Sequence, residues 1–163
     1  VNRVARRMKV LGLRALAKRK FKVTTDSEHN KPIYDNILGR DFTTTAINQK
    51  WAGDITYIHT QEGWLYLAVV IDLHSRAVIG WAMDKRMKAG LVCDALTMAL
   101  QRRHYPKGVI VHSDRGSQYC SKQYRKVIKR YQLIGSMSRK GNCWDNEISE
   151  SFFHTLKVEL VHE

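Results

Sequence analysis

The stretch WAGDITYIHTQEGWLYLAVVIDLHSRAVIGWAM, residues 51–83, decides the fold. Within it Ile55-Thr56-Tyr57-Ile58 is β-branched and aromatic and reads as a strand. Residues 64–73 are an almost unbroken apolar run, the pattern of a strand covered on both faces. Glu62-Gly63 supplies a turn before that run, and His74-Ser75-Arg76 a turn after it. Residues 77–83 make a third strand. Three short strands joined by tight turns predict an antiparallel meander.

Beyond it the apolar period changes. Leu91, Ala95, Met98, Ala99 and Arg102 recur at helical spacing, and Pro106 and Gly108 end the pattern. Residues 109–113 read as a fourth strand. Ser121 caps a second helix with Tyr124, Val127, Ile128 and Tyr131 along its apolar side. Residues 133–137 give a fifth strand, and a last helix is expected from about 145 to 161. The order β-β-β-α-β-α-β-α predicts an α/β domain with a five-stranded mixed sheet flanked by helices, the order of an RNase H-like fold.

Upstream, residues 1–20 hold Arg3, Arg6, Arg7, Lys9, Arg14, Lys18, Arg19 and Lys20 and no acid. Val4, Met8, Leu11 and Ala15 fall on one stripe, so this is a basic helical arm that Gly12 ends or bends. It is either the tail of a helix-turn-helix or a solvated arm. Residues 21–50 are polar and turn-rich and read as a linker, with 42–46 as extended chain lying on the domain. Residues 51–163 form the core. The chain has no initiator Met and no stop signal after its last helical pattern, so the expectation is a fragment, with the core cut short at its C-terminal side.

Among 163 residues, 28 are Lys or Arg and 15 are Asp or Glu, a formal net charge of +13. Such a surface attracts polyanions by counterion release. No apolar run approaches the roughly 18 residues of a membrane helix. Cys93, Cys120 and Cys143 are odd in number and never in C-x-x-C spacing, so they read as free thiols of a reducing cytoplasm rather than a zinc site.

Two acids stand out. Asp54 is expected at the start of the first strand, where a carboxylate opposes strand propensity. Asp114 closes the fourth. In the proposed fold these strands are neighbours at the sheet centre, so both acids meet on one side of it. A third carboxylate comes from the last helix, with Asp145, Glu147 and Glu150 as candidates. Asp145 suits a helix cap, and Glu150 sits three residues before Phe153, at the edge of the face set by Phe153, Leu156 and Leu160. Three converging acids repel unless a divalent cation joins them. Mg²⁺ takes oxygen ligands and keeps waters, and two such ions about 4 Å apart suit in-line displacement at phosphorus.

At these residues the chain resembles a known family. Trp51-Ala52-Gly53-Asp54-Ile55-Thr56-Tyr57-Ile58, His112-Ser113-Asp114-Arg115-Gly116-Ser117-Gln118-Tyr119 and Gly141-Asn142-Cys143-Trp144-Asp145-Asn146, followed by Glu150-Ser151-Phe152-Phe153, are similar to the DDE transposases of bacterial insertion sequences. The likeness is to the OrfB product of insertion-sequence family three, itself similar to the retroviral integrase core. It runs from about Trp51 to Glu159, more weakly through the linker and arm.

The resemblance implies that Asp54, Asp114 and Glu150 are catalytic and bind Mg²⁺ or Mn²⁺, as two ions. It implies cleavage of a phosphodiester at an element end, then attack of the freed 3′-OH on another phosphodiester. The partners implied are insertion-sequence ends, target DNA and further copies of the chain, in a bacterial cytoplasm and on the nucleoid when DNA is bound. Lys157 matches a basic residue that the family carries seven positions after its Glu. Seven residues turn a helix about 700°, returning Lys157 to nearly the same face.

Further DNA contacts are expected from Arg115, Ser117 and Gln118 after the second Asp, and from Arg139, Lys140 and Asn142 in the loop before the last helix. Arg3, Arg6 and Arg7 of the arm join them. Gly116 is read as a tight-turn residue, and Trp51 and Trp64 as core. Two other readings stay open: an RNase H-like nuclease without strand transfer, and an inactive remnant that only binds DNA.

Overall fold

A computed structural model describes residues 2–12, 30–139 and 147–160, with all side chains in these ranges except those of residues 2, 5, 147, 150 and 160. Helix α1 (Asn2–Val10) ends as Gly12 takes a φ of 69°, a conformation that costs glycine little. Leu11 N–H closes the helix on the Arg7 carbonyl at 3.0 Å. Of the predicted apolar stripe, Val4 and Leu11 are exposed, and Ala15 lies outside the described residues.

The core follows as β1 (Lys50–Thr60), β2 (Gly63–Asp72), β3 (Val78–Asp84), α2 (Ala89–Arg102), β4 (Ile110–Ser113), α3 (Lys122–Arg130), β5 (Ile134–Met137) and α4 (Glu147–Leu160). The five strands lie in the order β3-β2-β1-β4-β5. β1, β2 and β3 pair antiparallel, whereas β4 and β5 run parallel to β1. This is the predicted element order and the predicted mixed sheet.

The apolar run of β2 has its physical cause in the layers. Ala68 and Val70 point to one side, where Trp51, Leu96, Leu100, Val109 and Met137 form the larger core with α2 and α3. Leu67, Val69 and Ile71 point to the other, against Phe153 of α4. With both faces covered, the period-two alternation of a half-exposed strand disappears. Ser121 caps α3 as expected, its Oγ accepting from Tyr124 N–H at 3.1 Å.

Three placements differ from expectation. β1 begins at Lys50, because Lys50, Trp51 and Ala52 pair with β4 while the strand also pairs with β2; Asp54 is therefore the fifth residue of an eleven-residue strand, not its start. Trp64 is 49% exposed rather than core. It sits at the tip of the β1–β2 hairpin, edge-on to Tyr57 and His59, and no core cluster includes it. Gly116 is absent from the glycines with positive φ, so its turn does not need a left-handed backbone.

In the stretch read as linker, residues described from 30 onward carry core contacts. Leu38 is buried with Ala52 and Leu73. Ser136 Oγ accepts from the N–H groups of Ile37 (3.0 Å) and Leu38 (3.1 Å), and Met137 N–H donates to the Asp35 carbonyl at 3.3 Å. The chain thus lies along β5, and the polar composition that suggested a linker reflects its outer side.

Asp72, at the end of β2, is fully buried. Its Oδ2 accepts from Asn48 N–H (2.8 Å) and Trp51 Nε1–H (3.1 Å), and its Oδ1 from His74 N–H, Ser75 N–H and the Ser75 hydroxyl. Burial works against its charge, yet the hydrogen bonds, those of Ser75 first, outweigh it and hold the carboxyl below its ordinary value of 3.8. That stabilisation is complete above the unfolded-state value and is lost as pH falls through the lower folded value. Asp72→Asn turns an amide donor toward donors and should cost about 3 kcal/mol at neutral pH. Its urea midpoint should also fall less steeply than the parent's below about pH 4; parallel acid arms would contradict this account.

A second test concerns packing. A Cβ on Gly80 would lie 2.2 Å from the Ala95 carbonyl oxygen and 2.7 Å from Ala99 N, both backbone of α2. One on Gly135 would meet the Tyr34 ring first, at 2.6 Å. Gly80→Ala should destabilise by about 3 kcal/mol or more, and Gly135→Ala by less, because a ring on the sheet edge moves more readily than a helix backbone. Thermal unfolding of both variants checks the order.

Candidate active site

The parallel pairing of β1 and β4 runs Lys50 opposite Ile110, Trp51 opposite Val111 and Ala52 opposite His112. Asp54 follows the last of these pairs by two residues on β1, and Asp114 follows it by two residues on the other side, as the first residue after β4. Both aspartates are half-buried. Asp54 Oδ1 accepts from Ile55 N–H at 2.8 Å, and Asp114 Oδ1 from Gly116 N–H at 2.9 Å.

Tyr119 ties the two together. Its ring is fully enclosed in the α2/α3 core, and its hydroxyl and Cε1 lie 3.6 Å from where a Cβ on Gly53 would be. Burial first, then the charges of Asp54, Tyr124 and Asp114, push its phenol well above 10. Both carboxylates therefore act on one buried, neutral hydroxyl. Asp114 also opens on a small cleft whose walls include Ile55, Tyr57, Tyr66 and Gln118.

Helix α4 brings the third set of groups. It packs on β1 and β2, with Ile148, Phe152, Phe153 and Leu156 against Leu67, Val69, Ile71 and Ile58. Glu150 is in this helix, and its side chain lies outside the described residues. Lys157 is described: its Nζ sits 4.7 Å from the centroid of the Tyr57 ring, a cation–π contact. Burial lowers its ammonium below the ordinary 10.5, while Asp54 pulls it back up, which places the amine within the field of that carboxylate.

The remaining expected residues divide. Gln118 is 9% exposed, and its Nε2 donates to the Met87 carbonyl at 3.0 Å, so it holds the segment after β3 rather than offering an open face. Arg115 Nε donates to the Ser138 carbonyl at 2.7 Å, across to the end of β5. Ser117 lends its carbonyl to Lys31 Nζ at 3.1 Å. Arg139, Arg3, Arg6 and Arg7 are exposed; Lys140, Asn142 and Trp144 lie outside the described residues. Tyr119 was not foreseen, because nothing in its local pattern separates a core tyrosine from one that meets two acids.

Comparison with known proteins follows from this geometry. The Integrase core domain family matches residues 44–143, a span that includes both aspartates. The chain belongs to the integrase core family. It is 59% identical over 162 residues to the Transposase InsF for insertion sequence IS3A of Escherichia coli (strain K12), across 99% of this chain and 56% of that protein. It is 51% identical over 160 residues to the insertion element IS600 uncharacterized 31 kDa protein of Shigella sonnei, across 98% of this chain and 59% of that protein. The chain thus spans somewhat over half the length of these curated relatives.

Solved structures agree on the fold. A chain of the simian T-cell lymphotropic virus intasome, in complex with PP2A regulatory subunit B56 gamma, superposes with a TM-score of 0.66 at 19% identity, covering 82% of this chain and 45% of that one. The HTLV-2 integrase catalytic core domain in complex with magnesium, in its trimeric form, gives 0.59 at 19% identity, covering 71% of each. This integrase core carries its paired acids on β1 and just after β4.

Because burial and Asp54 act oppositely on Lys157, removing the carboxylate has a signed effect. Asp54→Asn should drop the Lys157 ammonium further below 10.5. Carbon NMR of the reductively methylated lysines would follow the titration, with Lys157→Met assigning the signal. A Lys157 value unmoved by Asp54→Asn would mean that α4 does not bring this amine to the acids.

Proposed function

We propose that the chain is the catalytic core of a bacterial insertion-sequence transposase, performing metal-dependent DNA cleavage and 3′-OH strand transfer. The observation that supports the proposal is the β1–β4 pairing, from whose last pair Asp54 and Asp114 each lie two residues onward, with helix α4, which bears Glu150 and Lys157, packed on β1. The relatedness to the InsF transposase supports the same reading.

The donor set suits a hard divalent cation. Two half-exposed carboxylates on adjoining strands offer oxygen ligands and repel each other without one. Among the described residues no group of three or more His, Cys, Asp or Glu side chains forms a metal site; the Glu150 side chain, the proposed third ligand, lies outside them. Magnesium accompanies the HTLV-2 core, and Mg²⁺ or Mn²⁺, as two ions, is proposed here. Ions so held supply Lewis acidity at phosphorus and acidify an attacking oxygen.

The chain's own groups do the rest. Asp54 on β1, Asp114 at the start of the loop after β4 and Glu150 on α4 form the acidic centre. Lys157 orients a phosphate oxygen beside Asp54. Water displaces one phosphodiester oxygen and leaves a 3′-OH; that hydroxyl displaces the oxygen of a second phosphodiester, and the number of phosphodiester bonds is conserved in the transfer. Arg139, Lys140, Asn142, Arg3, Arg6 and Arg7 are proposed to contact DNA; Arg115 and Gln118, engaged with main-chain carbonyls, act on it by holding the segment after Asp114.

Pairing of two DNA ends calls for more than one copy, and a homo-oligomer is proposed, as dimeric and trimeric forms are described for the HTLV-2 core. No helix among the described residues is long and apolar enough to cross a membrane. The proposed location is the bacterial cytoplasm, at the nucleoid when DNA is bound.

An oligonucleotide with an element end, incubated with Mn²⁺, tests the proposal. Cleaved and joined products should form, and Asp54→Asn, Asp114→Asn and Glu150→Gln should each lower both by at least about a hundredfold with the fold intact by circular dichroism. Cleavage without joining would favour a nuclease. Joining at the parental rate by Asp114→Asn would remove the assignment.

A further inference from the structure

One cavity of the described structure lies away from the acids. It measures about 1030 Å³ and lies between α3 and the segment around Lys31 and Tyr34. Lys31, Lys122, Arg125, Lys126 and Lys129 line it, and among the described residues no Asp or Glu does. Its floor is apolar, from Ile128 and Leu133.

Helix α3, KQYRKVIKR, explains the arrangement. Tyr124 and Ile128 are buried, so the residues between them turn outward, and Lys122, Arg125, Lys126 and Lys129 fall at i, i+3, i+4 and i+7 along one open side. Among the described residues none of these four forms a salt bridge. Arg125 lies with its guanidinium carbon 5.0 Å from the centroid of the Tyr34 ring, and its Nη1 is buried with no hydrogen-bond partner among the described residues. A buried guanidinium nitrogen without an acceptor is costly unless something else provides one.

From Lys122 to Lys129 is about 10 Å of helix, and successive phosphates of one DNA strand advance about 3.4 Å along the duplex. A single small anion cannot meet a row of that length, whereas about three consecutive phosphates can. The cavity also adjoins the acidic centre: Cys120 on its wall is acted on by Asp114 as well as by Lys31, Arg125 and Arg115, and Lys31 Nζ holds the Ser117 carbonyl, three residues after Asp114.

We infer that the α3 cavity is a second DNA-binding surface, in which Lys122, Arg125, Lys126 and Lys129 hold about three consecutive backbone phosphates of duplex DNA away from the reacting one. Arg125 offers its planar fork to a phosphate and the lysines act as point charges. The inference rests on the reading of this chain as DNA-acting, but not on its chemistry.

Fluorescence anisotropy with a labelled DNA duplex of arbitrary sequence, in EDTA throughout, tests it between about 50 and 200 mM salt. Lys122→Gln/Lys126→Gln/Lys129→Gln should weaken binding more than about tenfold and reduce the slope of log K against log salt by about 2.7, each single substitution contributing about 0.9. A charge-matched control on exposed positions elsewhere, Arg76→Gln/Arg102→Gln/Lys107→Gln, should leave both within about twofold. Equal losses in the two triple variants, or no loss in either, overturn the inference. So does a change of oligomeric size by light scattering without a change in DNA affinity, which would make the cavity a protein interface. Since no metal is present, binding as expected by a chain that joins no DNA leaves this surface standing and removes the catalytic reading; joining by a chain whose α3 variant binds unaltered does the reverse.

Discussion

Three backbone pairs between β1 and β4 govern the placement of the acids. Lys50, Trp51 and Ala52 pair with Ile110, Val111 and His112; two residues beyond the last pair stand Asp54 on β1 and Asp114 just after β4. A slip of one residue would send one carboxylate to the opposite face of the sheet, because side chains alternate. The register is protected on both sides. Trp51, Val111 and Val109 are locked in the α2/α3 core, and Trp51 Nε1–H is held by Asp72 from the neighbouring strand. Asp72, an acid outside the proposed centre, therefore sets the position of acids within it: its buried carboxylate joins the end of β2, the start of β1 and the turn into β3.

The two kinds of charge in this molecule are sorted by depth. Asp54 and Asp114 are half-buried and each accepts from a main-chain N–H group, while lysines and arginines crowd the outer sides of α1 and α3. A uniform distribution of the same +13 charge would attract DNA without orienting it. Sorting changes that: in the proposed function, phosphates would settle along the basic faces and come to the acids only at one point. Lys157 is the exception that links the zones, a half-buried ammonium on α4 beside Asp54.

Much of this was legible in the sequence, for identifiable reasons. The run of residues 64–73 could only be a strand covered on both sides, and Ser121 could only be read as a cap once the apolar positions after it fell at helical spacing. Asp54 and Asp114 were singled out because a carboxylate amid β-branched residues needs a cause. What failed was whatever depends on neighbours distant in the chain. The start of β1 is fixed by β4, some 60 residues away, so local propensity placed Asp54 too early. Trp64 looked like core by composition, but only the hairpin's projection beyond the helices decides its exposure. Gln118 looked available for DNA, yet its amide is taken by Met87, a partner that no spacing rule reveals. The α3 cations were passed over because a basic helix face is ordinarily just solvated; their cavity exists only once Tyr34 and Lys31 are folded against them.

Tyr119 shows why a neutral group belongs under such a centre. A lysine or arginine at that depth would pair with Asp54 and Asp114 and satisfy from within the charge assigned above to the proposed cation. A purely apolar residue would leave the two carboxylates facing a surface with no dipole. A phenol raised far above its ordinary ionisation range stays protonated and uncharged beside both acids, so it tolerates their charge without cancelling it. Gly53 keeps the strand backbone close to that hydroxyl, since its missing side chain would have been aimed at it. Gly53 and the buried Tyr119 hydroxyl thus leave the charge of both aspartates uncompensated from the core side, which is what the proposed cation would meet.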